Sequence, residues 1–132
     1  TKSTLDFIGE NKRNGIKADD ETFKSNEMIL GKAQWLAQTT HPTIATAVGI
    51  LSSLVKEKWR GTDMASKHLL RYLKGAKDLC LRNTVGENDG LQISSNADWA
   101  GLDNLQPENR ARTGILVTYN GMHVTWKSCA HT

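Results

Sequence analysis

At Gly75 the spacing of apolar residues changes period. Between Asn26 and Gly75 they recur every three or four positions, and beyond Gly75 they alternate. A chain that switches from a period of 3.6 to a period of 2 reads as helices followed by strands, so the fold class is α+β. In the first helical stretch Ile29, Ala33 and Leu36 share a face, Trp35 lies on the flank, and Asn26 stands where a cap belongs. "THPT" then breaks the pattern, because proline fits the first turn of a new helix and disfavours helix before it. The second helix follows, with a stripe of Ile44, Ala47, Val48, Leu51 and Leu54 or Val55. A third, capped by Thr62, runs to Gly75, with Met64 or Ala65, Leu69, Tyr72 and Leu73 inward and Lys67, Arg71 and Lys74 outward.

Alternation then predicts strands over 79–84, 91–97, 113–119 and 122–128. Asn120-Gly121 between the last two is the signal for a two-residue type I′ hairpin, which needs a positive φ at both positions. The organisation expected is a polar arm over 1–25 that packs through Leu5, Phe7 and Ile8, a helical segment over 26–78, and an antiparallel meander over 79–132.

With 132 residues and 38% apolar side chains, the chain can bury a core of about two-thirds of its unfolded surface. Net charge is only +3, but from Lys56 to Arg82 there are eight basic and three acidic residues, a local excess of +5. Cys80 and Cys129 have no paired spacing, which excludes a zinc knuckle or a disulfide framework as a sequence-level reading. There is no apolar run long enough to span a membrane and no leader pattern, so an intracellular place, a cytoplasmic particle or the nucleus, is expected. The chain starts without Met and stops shortly after its last strand, which reads as an excised piece.

Two constellations could carry chemistry. Lys67, Arg71 and Lys74, with Lys58 and Arg60 upstream, could follow a phosphate backbone and displace its counterions, or they could simply be a solvated helix face. "SSNADWAG" ends a strand at Asp98, with Asn96, Asp103 and Glu108 nearby. Two-metal phosphodiester hydrolysis needs several carboxylates around ions roughly 4 Å apart, and this stretch supplies too few. The alternative is a plain strand end. The four histidines share no ligand spacing and pair with no Cys or Ser as a triad would. Trp35, Trp59, Trp99 and Trp126 could stack on bases, but core packing is the expectation for at least three; Trp59, between Lys58 and Arg60, is the exception.

Taken in order, "GKAQWLAQTTHPTIATAVGILSSL", "ASKHLLRYLKGAKDLCL", "SSNADWAG" and "RARTGILVTYNGMHVTWKS" resemble the Pol polyprotein of copia-type LTR retrotransposons. The likeness covers roughly residues 26 to 128 and corresponds to the end of the reverse transcriptase (thumb or connection) and the start of its RNase H domain. It implies a parent enzyme that copies RNA into DNA and degrades the RNA of the hybrid with Mg2+. It also implies that the meander matches the first three strands of an RNase H-like fold, cut before the remaining strands and helices.

The departures matter as much. The family has Arg-Pro-Asp where this chain has His41-Pro42-Thr43, and its first RNase H Asp falls at Asn96. Asp98 matches the second, non-ligand acidic position, and the family's further carboxylates have no counterpart here. An amide keeps the shape of a carboxylate but not its charge, and it is a poor bridging ligand for a hard cation. The expectation is therefore no intact catalytic set, no metal and no cofactor for this chain. It would hold a duplex or an RNA–DNA hybrid through Lys58, Arg60, Lys67, Arg71 and Lys74. The competing readings are a decayed or repurposed element acting as a small nucleic-acid-binding or protein-interaction module, and an unrelated α+β domain. A cut sheet would expose Ile115, Val117 or their neighbours, so marginal stability, self-association at the sheet edge, or a need for the rest of a Pol polyprotein is expected.

Overall fold

Asp19 starts the first helix: in extended backbone, its side chain accepts the Thr22 amide at 2.7 Å. Helix α1 then spans Asp20–Thr39, a 3-10 turn Pro42–Ile44, helix α2 Ala45–Val55 and helix α3 Arg60–Gly75. Three strands follow, β1 Leu91–Asp98, β2 Arg112–Tyr119 and β3 Met122–Ala130, in one antiparallel sheet of order β1-β2-β3. The computed structural model describes residues 18–56, 60–82, 90–98 and 111–130, and of Arg60 the backbone alone. The expected arm contacts of Leu5, Phe7 and Ile8 lie outside the described residues.

The α+β class and the three helices are as expected, but several details are corrected. Asn26 is not a cap. It lies inside α1, buried, because the helix begins earlier, at the Asp19 cap with Asp20 and Glu21 in its first turn. The buried stripe of α1 is accordingly Asn26, Leu30, Ala33 and Ala37, while Leu36 packs only partly and Trp35 stands in solvent at 64% exposure. Thr62 is not a cap either. It is buried one turn before Ser66, and with Gly61 and Ala65 it forms a small-residue face on α3 that lets the helix approach its neighbours closely. Leu69 is buried and Leu73 partly so, whereas Met64 and Tyr72 lie outward. Helix α2 is the centre of the core: Val48, Ile50, Leu51 and Leu54 are essentially inaccessible, so it buries more than the single stripe expected of it.

No strand forms over Leu79–Arg82. A turn follows Gly75, the Leu79 amide bonds back to Ala76 O at 3.0 Å, and Leu79 and Cys80 are exposed. Alternation makes this segment read as a strand, but an extended segment needs a neighbour for its amides and carbonyls. The hairpin is as expected: Asn120 and Gly121 have φ of 48° and 77°. Asn120 also anchors the start of β1, since its amide donates to Gly90 O at 2.9 Å and its Oδ1 accepts from the Gly90 amide at 3.0 Å.

Register fixes the two faces of the sheet. Asn96 pairs with Gly114 and Gly114 with Ser128, so these three form one row, flanked by the row Ser94, Leu116, Trp126. That face meets the helices: the Trp126 indole N–H donates to Ala37 O of α1, and Thr46 Oγ1 of α2 lies 3.0 Å from Ser128 Oγ. The other face carries Leu91, Ile93, Ile115 and Tyr119, all exposed, with Val117 half-buried among them. An irregularity between Val117 and Thr118 leaves Val124 without a cross-strand partner, also in solvent.

Candidate functional site

Helix α3 presents the expected basic stripe. Lys67, Arg71 and Lys74 are exposed at i, i+4 and i+7, spread over roughly 10 Å of helix. Lys67 is not wholly available, because its Nζ lies 2.7 Å from Asp63 Oδ2 one turn earlier. Arg71 and Lys74 are the open charges of the row. Lys58, Trp59 and the Arg60 side chain lie outside the described residues. Tyr72, on the flank of the stripe, reaches Thr43 Oγ1 at 3.5 Å and so touches the 3-10 turn.

The second constellation lies where the sheet meets α2. Asn96 and Asp98 end β1 on the helix-facing side, both exposed. With Thr46, Arg112, Thr113, Gly114 and Ser128 they line a cavity of about 260 Å³. A neighbouring groove of about 340 Å³ continues past Pro42, Ala45 and Trp126. The strand end is thus more than a turn. It is one wall of a polar recess.

Arg112 dominates that recess. It is 8% exposed, and its Nε and Nη1 have no hydrogen-bond partner among the described residues. Burial holds the guanidinium below the ordinary arginine value, opposed by the charge of Cys129. It rests on α2 at Gly49, where a β-carbon would come within 3.1 Å of Nη1. Asp98 is its cross-strand partner in register, yet no ion pair joins them.

The sequence marks Asn96 and Asp98 as site candidates, and Arg112, Thr46 and Ser128 carry no motif of their own. A signal was present: alternation through "RTGILVTY" puts Arg112 on the same face as Leu116, so a charged residue had to point towards the helices. Thr46 and Ser128 are 82 positions apart, and only docking of α2 on β3 brings them together.

The recess does not suit a pair of divalent cations. Its described lining offers one carboxylate, one neutral amide and a guanidinium, and the positive charge opposes any metal ion there. Among the described residues no group of three or more His, Cys, Asp or Glu side chains comes together. Asp103 and Glu108 lie outside the described residues. Among the described residues, no helix is long and apolar enough to cross a membrane.

No family model matches the chain, and no solved structure matches it. The chain is similar to the secreted RxLR effector protein 161 of Plasmopara viticola, 35% identical over 99 residues, which are 75% of this chain and 68% of that protein. It is equally similar to the retrovirus-related Pol polyprotein from transposon TNT 1-94 of Nicotiana tabacum, 35% identical over 105 residues. To the corresponding polyprotein from transposon RE1 of Arabidopsis thaliana it is 32% identical over 115 residues, 86% of this chain. It spans 7% of the length of each of these two polyproteins. Matches at 32–35% identity over three quarters or more of its length place the chain: it belongs to the family of retrovirus-related Pol polyproteins from transposons.

Proposed function

We propose that this chain corresponds to the end of the reverse transcriptase and the start of the RNase H region of a copia-type Pol polyprotein. In that reading it contributes nucleic-acid binding without hydrolysis. The observation that carries the binding is the exposed row Lys67, Arg71 and Lys74 on a rigid helix. Charges at one-turn spacing can each neutralise a phosphate, and every such contact steepens the log–log salt dependence by about 0.9. The absence of hydrolysis is argued from Asn96 and from the buried cation of Arg112, which together leave a recess unsuited to metal-assisted attack. The place of action is inside the cell, in a particle or the nucleus. The exposed apolar face of the sheet is where the rest of a Pol polyprotein or a second copy would pack.

The test is fluorescence anisotropy of a labelled RNA–DNA hybrid against the 132-residue chain over a salt series. Micromolar binding at low salt, with a slope that flattens by about 2 in Lys67/Arg71/Lys74→Ala, is expected. Binding that is unchanged in the triple variant overturns the assignment of the stripe, and Mg2+-dependent cleavage of the hybrid overturns the absence of hydrolysis.

A second reading has one observation in its favour. One relative, of which this chain spans 68%, is named as a secreted effector and not as a polymerase. That favours a small non-enzymatic module repurposed from a transposon. Capture of a protein partner with no response to hybrid or duplex would support it.

A further inference from the structure

We propose that the recess between β1, β2 and α2 binds an oxyanion of the phosphate type, seated on Arg112 and the small polar groups around it. Arg112 is buried, with two of its nitrogens lacking a partner among the described residues. A guanidinium keeps its charge in proteins, and with Nε and Nη1 closed to solvent and unpaired among the described residues that charge is a standing cost which an anion in the recess would offset. Among the described residues of the lining the one carboxylate, Asp98, stays in solvent and leaves the guanidinium unpaired. An arginine donates through a planar fork whose geometry matches a phosphate or carboxylate.

The rest of the lining suits the same guest. Thr46 and Ser128 share a single hydrogen bond at 3.0 Å, which uses one of their two hydroxyl protons and leaves the other to turn to an anion. Asn96, one step diagonal from Arg112 across β1 and β2, brings an amide that can donate where a carboxylate would repel. Thr46 lies in the first turn of α2, whose positive end adds to the field. Gly114 leaves the floor open, with no side chain between Asn96 and Ser128. The recess, about 260 Å³, has room for roughly eight waters at ~30 Å³ each, hence for a phosphate with part of its hydration.

Two sources share this chemistry: free inorganic phosphate and the phosphodiester of a nucleic-acid strand. Thermal melting of the 132-residue chain is followed in inorganic phosphate, and separately in a short oligothymidylate, with chloride-matched ionic strength throughout. A rise in Tm of roughly 5 °C at ten times the dissociation constant is expected from at least one of them, and which one responds names the source. The response should vanish in Arg112→Met and weaken at least tenfold in Asn96→Asp, which returns a negative charge beside the anion. Asn96 is exposed on an edge strand, so that variant keeps the test decisive if Arg112→Met does not fold. No rise beyond matched chloride, or an equal rise in wild type and Asn96→Asp, overturns the site.

Discussion

Gly49 makes room for Arg112: a β-carbon at position 49 would stand 3.1 Å from the buried Nη1, closer than such contacts normally come. The helix and the strand are thus fitted through an absent side chain. Alanine at 49 gains about 1 kcal/mol of helix propensity, while the guanidinium has only to slip a few tenths of an ångström into an open recess. Gly49→Ala is expected to stabilise the chain by about 0.5 kcal/mol. Gly49→Leu is expected to destabilise it by about 1–3 kcal/mol, since the larger side chain has to displace the whole guanidinium. Urea titration of both variants decides this, and a Gly49→Leu protein as stable as wild type would remove the contact from the account.

Trp126 is the peg between the sheet and α1. Its indole N–H reaches Ala37 O, a carbonyl in the last turn of that helix. Trp126→Phe keeps most of the apolar area and loses the donor, so a loss of about 1 kcal/mol is expected in denaturant unfolding. A larger loss would mean that the ring, and not the hydrogen bond, is what the contact supplies.

The Asp63–Lys67 pair sets stability against binding. Opening it with Asp63→Asn should cost about 0.3–0.5 kcal/mol, the ordinary value for a pair one helical turn apart. It also frees Lys67 to join Arg71 and Lys74. Tighter binding to an RNA–DNA hybrid, with a salt slope steeper by about 0.9, is the expected readout of the same variant. An unaltered slope would show that Lys67 is not part of the contact.

The Asp19 cap predicts an acid-side effect. Hydrogen bonds from the Thr22 backbone and side chain hold its carboxyl below the ordinary aspartate value of 3.8. A folded-state value below the unfolded one means that the contribution is fully present above pH 3.8 and is lost as pH falls through the folded value. The Tm difference between wild type and Asp19→Ala should therefore be constant near neutrality and shrink below about pH 4. A difference that persists unchanged at pH 2 would mean that the cap does not depend on charge.

Much of the fold is legible in local patterns. Pro42 breaking the helices, the α2 stripe of Ile44, Val48, Leu51 and Leu54, the basic row of α3 and the Asn120-Gly121 hairpin all follow from neighbouring residues, and they hold. Where local patterns mislead, the competing force is not local. Asn26 and Thr62 are good caps in isolation, but each is drawn into the helix interior by packing, and the segment at Leu79 alternates without a strand to pair with among the described residues.

Residue type at fixed spacing is enough to dictate the order of helix and strand and the charge on α3. Two other features arise from tertiary packing alone: β2 turns Arg112 under α2, and Thr46 and Ser128 meet beside it. Cross-strand register and helix docking join residues tens of positions apart, and no local period encodes which distant groups will share a recess.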